Sequence, residues 1–170
     1  EELGDINGVW PRVGNDGNSI HAVISRQTGN GSNIAGGLLY FRSLDGGDTW
    51  DGPLDLPELD QSYVSLTADC CFVDVNGSNV AIAIGQYGSP VLVYKSTDNG
   101  DNWTKIVAQN TSNPLIPDTP VIGDVLEEVA VAGGDVTTII DNTGKVHVWF
   151  DRVFNYKDAD QDGGPFFLPN

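Results

Sequence analysis

The sharpest chemical signal in the sequence is Asp158-Ala159-Asp160-Gln161-Asp162-Gly163. Carboxylates at alternate positions can converge on one cation, and the glycine permits the sharp turn between them. D-x-D-x-D-G is the first half of an EF-hand-like calcium loop. The full loop needs a glutamate at its twelfth position, which here is Pro169, and its ninth position is Phe166. A standard EF-hand is therefore excluded. Two readings remain: a Ca2+ half-site at Asp158, Asp160 and Asp162 completed by backbone carbonyls or other acids, or a solvated acidic hairpin loop. Cys70 and Cys71 are adjacent and are the only cysteines. They form either a strained vicinal disulfide or two thiols on opposite faces of a strand, and buried thiols are the favoured reading. No C-x-x-C is present, so neither a zinc nor a dithiol redox motif is expected. Nucleophile-elbow, P-loop and dinucleotide fingerprints are also missing.

Charge narrows the partners. The chain has 170 residues, with 8 Lys+Arg against 24 Asp+Glu, for a net charge of −16. So few cations cannot build the basic face that nucleic acid requires, nor the patch that docks on an anionic membrane. No long apolar helix is available for membrane insertion, because Gly85, Gly88 and Pro90 break the longest uncharged stretch, Asn76 to Tyr94. Hydrophobic residues make up 39%, including four Trp, five Tyr and six Phe, so the acidity belongs to a folded chain and not to a disordered tail. With no Met anywhere and no basic–apolar leader, the chain reads as a processed or excised segment.

The elements that must position these groups are short strands. Alternating apolar runs occur at Ser19 to Ile24, Gly37 to Arg42, Asn79 to Ile84, Pro90 to Lys95, Thr104 to Ala108, Asp135 to Ile140 and Lys145 to Phe150. Their β-branched and aromatic content and their length fit half- or fully buried strands. The exception is Ile122 to Val131, where a short helical turn is expected. Asn/Gly-rich segments at 15–18, 76–79 and 141–144 each join two such runs, and the strands that follow centre on Ile20, Val80 and Val146. His21 and His147 fall at equivalent places, which points to a repeated packing or hydrogen-bonding role. Four N-x-S/T sequons begin at Asn30, Asn76, Asn102 and Asn110, and these matter only in a eukaryotic secretory setting.

An octapeptide also repeats. Ser43-Leu44-Asp45-Gly46-Gly47-Asp48-Thr49-Trp50 matches Ser96-Thr97-Asp98-Asn99-Gly100-Asp101-Asn102-Trp103, 53 residues on. A unit of strand, Asn/Gly turn, strand, loop, strand, octapeptide, strand therefore occurs about two and a half times. Repeated four-strand units of this size are the signature of propeller blades. The octapeptide closely resembles the Asp-box, or BNR repeat, of sialidases, other glycoside hydrolases, sortilin-type receptors and many secreted bacterial proteins. The resemblance implies an all-β fold of antiparallel four-stranded blades from a sialidase-like, six-bladed β-propeller. Blade 1 would span about 9–58 and blade 2 about 63–110, with an insertion at about 111–132 and an incomplete blade 3 at about 133–170. The box would cap the hairpin between the third and fourth strands. Asp45 and Asp98 would bond backbone N–H groups, Ser43 and Ser96 would tie the turn to the strand, Gly47 and Gly100 would take positive φ, and Trp50 and Trp103 would pack on the blade.

The resemblance implies function less sharply, because the box accompanies unrelated activities. A sialidase needs an arginine triad for its substrate's carboxylate, and the chain has only Arg12, Arg26, Arg42 and Arg152. The family's first triad arginine lies in F/Y-R-I-P. Here Trp10-Pro11-Arg12-Val13 puts the proline before the arginine. Arg12 is accordingly either a ligand-binding group or an ordinary ion-pair partner. Asp69, Asp124 and Asp151 fall near strand ends, where a central pocket can use them. The expected function is recognition of glycan or protein ligands by a secreted or cell-surface propeller. The alternative is a sialidase-like or other glycoside hydrolase. Open sheet edges would be covered by remaining blades or by a partner chain.

Overall fold

The structure is a computed structural model that describes residues 8–26, 38–56, 59, 70–85, 89–110, 130–156 and 166–169. Among them the elements are all strands, and no helix occurs. The first sheet is β1 (Gly8–Asp16), β2 (Ser19–Arg26), β3 (Leu38–Ser43) and β4 (Asp51–Asp55), paired in that order. The second repeats the pattern with β5 (Cys71–Asn76), β6 (Asn79–Gly85), β7 (Val91–Ser96) and β8 (Thr104–Gln109). The third has β9 (Ala130–Ile140), β10 (Val146–Tyr156) and β11 (Phe166–Pro169), ordered β11-β10-β9. All pairings are antiparallel. Ala130 and Val131 open β9, so the helical turn expected at 122–131 does not include them, and 122–129 lie outside the described residues.

The sheets pack face to face, in sequence. On β6 and β7 both faces are apolar, so both are buried. Val80, Ile82, Ile84, Leu92 and Tyr94 join Val23, Leu38 and Tyr40 of the first sheet in one cluster. Ala83 and Val91, on the opposite face, meet Val136, Val148 and Phe150 of the third. Close approach is built in at Gly14, where a Cβ would lie 2.9 Å from the Val73 carbonyl oxygen, and at Gly85, where it would lie 3.2 Å from Val136. The first strands β1, β5 and β9 are thereby brought side by side, each packed on the next.

Turns lock the stack. The Gly77 N–H donates to Asp16 Oδ2 at 2.7 Å, and the Ile140 N–H to Asp74 Oδ2 at 2.6 Å. Arg42 and Lys95 each precede the serine of an octapeptide, and each donates to a carbonyl of the following sheet. Arg42 reaches Asn99 O at 2.8 Å and Lys95 reaches Gly144 O at 2.6 Å.

Cys70 and Cys71 are free, buried thiols in the same core cluster. The expected split to opposite faces fails because Cys70 sits on a bend just before β5, where strand alternation has not begun. The mutual hydrogen bond and burial push the Cys70 thiol's pKa upward, so it stays protonated.

Candidate functional site

Both octapeptides fold alike, and their geometry is self-contained. The Gly47 N–H donates to Ser43 Oγ and the Gly100 N–H to Ser96 Oγ, each at 2.8 Å. The serine hydroxyls donate to Asp45 and Asp98 at 2.7 Å. Each aspartate then accepts from the backbone four residues on, at Thr49 and Asn102, both at 2.9 Å. Hydrogen bonds from Thr49 and Ser43 hold Asp45 down to about 2, and those from Asn102 and Ser96 do the same for Asp98. Gly47 and Gly100 have φ of 101° and 84°. Trp50 packs with Ala22, Leu39 and Phe41, while Trp103 meets Tyr40 edge-on with ring centroids 5.1 Å apart. Ser43, Asp45, Ser96 and Asp98 spend these hydrogen bonds inside the octapeptide, which makes these four side chains turn builders.

The histidines follow the same logic. His21 is fully buried, with Nε2 bonded to Ser19 Oγ at 2.8 Å and Nδ1 to Tyr40 Oη at 2.6 Å. Burial, assisted by Arg42, lowers its pKa to about 4, so it is neutral at pH 7. His147 Nε2 pairs with Asp141 Oδ2 at 2.9 Å on the half-exposed third hairpin. Two sequon asparagines are occupied: the Asn76 amide donates to Ile140 O and Asp141 O, and the Asn102 amide to Asp98.

A different set of residues converges on an open groove of about 550 Å³. It receives Arg12 from β1, Phe72 from β5, Asp135 from β9, and Trp149 and Asp151 from β10, with Cys71 beside Phe72. These residues lie four or more positions from the β1–β2, β5–β6 and β9–β10 turns. The octapeptides lie at the turn end, since the Gly46 N–H donates to Asn18 O and the Asn99 N–H to Ser78 O, each at 2.9 Å. The groove thus lies away from the octapeptides, near the middle of β1 and β9 and the start of β5.

Two irregularities shape the groove. In β1 the register jumps between Val9 and Arg12, with Trp10 held at φ 55°, just where Arg12 enters. In β9–β10 it jumps between Phe150 and Arg152, so that 133–135 bulge opposite Asp151. There the Asp135 N–H donates to Asp151 Oδ1 at 3.2 Å, fixing that carboxyl. Bulges re-aim side chains out of the alternating pattern, and they concentrate beside binding sites. Trp149 is 54% exposed and Phe72 38%, unusual for large aromatic rings. The His147 ring lies nearly parallel to the Trp149 indole, with centroids 6.0 Å apart, and braces it.

Of the residues singled out in the sequence, Arg12 and Asp151 are brought together here. Asp158, Asp160 and Asp162, with Asp69, Asp124 and the Asn30 sequon, lie outside the described residues. Phe72, Asp135 and Trp149 were not singled out. Their only sequence signal is the aromatic or acid at a strand position whose neighbours alternate into the core. No protein-family model, curated protein or solved structure matches the chain.

Proposed function

We propose that the chain forms successive blades of an Asp-box β-propeller, secreted or at a cell surface, and that it recognises a glycan or protein ligand in the groove between its first strands. The observation that carries this reading is the convergence of Arg12, Phe72, Asp135, Trp149 and Asp151 from three sheets, away from the octapeptides. A concave site lined by aromatic surface with a few directed polar groups is the common form of a small-ligand site. The repeat of the octapeptide and the iterated face-to-face stacking support the propeller. On this reading further blades or a partner chain continue the stack. Calcium at Asp158, Asp160 and Asp162 belongs to the same proposal: chelation should lower Tm, and an unchanged Tm would remove the metal from it.

The test of the groove is binding to an immobilised glycan and peptide panel, read as retention of the protein on the panel. Trp149→Ala should abolish the signal while leaving Tm within about 2 °C, since surface substitutions cost little. Retained binding would place the ligand elsewhere. The neighbouring carboxylates of Asp135 and Asp151 favour a second reading, glycoside hydrolysis by an acid–base pair. Turnover of fluorogenic glycosides that disappears in Asp151→Asn would select it.

A further inference from the structure

We propose that the groove takes a neutral hexopyranose and discriminates against acidic sugars, an inference that rests on the groove being the ligand site. Among the described residues the charged groups lining it are one guanidinium, Arg12, and two carboxylates, Asp135 and Asp151. An acidic sugar is held by planar guanidinium groups that pair with its carboxylate bidentately. Among the described residues one arginine lines the groove against two carboxylates, in a chain whose net charge is −16. A ligand carboxylate entering the groove would meet Asp135 and Asp151 at close range and be repelled.

The same two aspartates suit hydroxyl groups. A carboxylate accepts hydrogen bonds and suits sugar hydroxyls, and the exposed Asp135 brings one to the groove. Asp151 is already oriented by the Asp135 N–H at 3.2 Å, so little ordering remains to be done on binding. The apolar complement is also present. A pyranose has one face of C–H groups, and the exposed indole of Trp149, braced by His147, offers a flat surface for it, with Phe72 across from the second sheet. The size agrees, since about 550 Å³ suits one or two sugar rings and not a folded protein segment.

The experiment titrates the chain with lactose, cellobiose, mannobiose and 3′-sialyllactose, by calorimetry and by Trp fluorescence. At least one neutral disaccharide should bind ten-fold or more tighter than sialyllactose. Its affinity should hold as salt rises from about 0.01 to about 0.15 M, because no net charge is being paired. Trp149→Ala and Asp135→Asn should each weaken it at least ten-fold. Asp135 is exposed, so its variant remains a folded control if the other is impaired. Tighter binding of sialyllactose, weakened by salt and lost in Arg12→Gln, would overturn the inference while leaving the groove a ligand site. Binding of none of the sugars would overturn both this inference and the glycan form of the proposed function.

Discussion

Gly100 shows how a single residue couples an octapeptide to the neighbouring sheet. It takes φ 84°, and a Cβ there would meet the Tyr40 hydroxyl at clashing distance. Backbone strain and steric conflict therefore add at one position. Gly100→Ala should cost about 2–4 kcal/mol, read by urea denaturation. Gly46 is a useful contrast: its φ is also positive, but a Cβ there would meet only the Asn18 side chain at 3.5 Å. Gly46→Ala should cost only about 1 kcal/mol, from conformation alone. Asp45 and Asp98 supply a second effect at this scale. Each is held to about 2, first by Thr49 or Asn102 and then by Ser43 or Ser96. A folded pKa below the unfolded one stabilises above the unfolded value and is lost as pH falls through the folded one. The loss from these groups is thus confined to the window from about pH 4 down to about 2.

At the scale of elements, the His21–Tyr40 bond ties β2 to β3, and Tyr40 carries both onto Trp103 of the second octapeptide. His21 is buried and neutral, with a folded pKa near 4 against 6.5 unfolded. Its contribution is complete above the unfolded pKa and declines as pH falls through about 6.5 toward 4, where an imidazolium would have to be buried. Between pH 7 and pH 4 the protein should lose about 3 kcal/mol from this group, and His21→Gln should flatten that part of the stability profile. A profile unchanged by the substitution would show that His21 opens to solvent freely. The strands that carry this contact were legible in the sequence, because β2, β3, β6 and β7 are apolar runs that no Pro or Gly interrupts from within. Others were not. Pro11 and Pro53 interrupt β1 and β4, and the Gly133-Gly134 pair hides the first half of β9. The interruptions in β1 and β9 are also where the groove forms, since a bulge that re-aims Arg12, or sets Asp135 against Asp151, destroys the period that reveals a strand. The groove's members come from strands far apart in sequence, and only face-to-face stacking of the sheets brings them together. The octapeptide was readable because its serine and aspartate bonds close within eight residues.

Across the whole molecule, the two inter-sheet interfaces differ in strength, and this sets how the stack comes apart. Between the first and second sheets, among the described residues, the buried side chains include Tyr40, Tyr94, Ile82, Ile84, Leu38 and Leu92, with Trp103 at their margin. Between the second and third they are Ala83, Val91 and Val136, supplemented by the partly buried Val148 and Phe150. Apolar burial stabilises at about 25 cal/mol per Å², so among the described residues the first interface, with the larger buried side chains, gains more from it. Stacked repeats that touch only their neighbours have stabilities set by such nearest-neighbour terms, and they open from the weaker end. Amide hydrogen exchange should therefore find β9 and β10 exchanging through an opening less costly than the one that exposes β6 and β7. Val136→Ala should lower protection in the third sheet and leave β2 and β3 protected, whereas Ile82→Ala should lower protection in the first and second sheets together. The described charges across the weaker junction point the same way. Lys95 spans it to Gly144 O and Asp74 to the Ile140 N–H, but Asp135, Asp141 and Asp151 gather on the third sheet of a chain already at −16, so its opening is aided by repulsion that salt screens. Raising the ionic strength should slow exchange in β9 and β10 more than in β2 and β3. Equal slowing everywhere would mean that the third sheet is joined to the second as firmly as the first two are to each other.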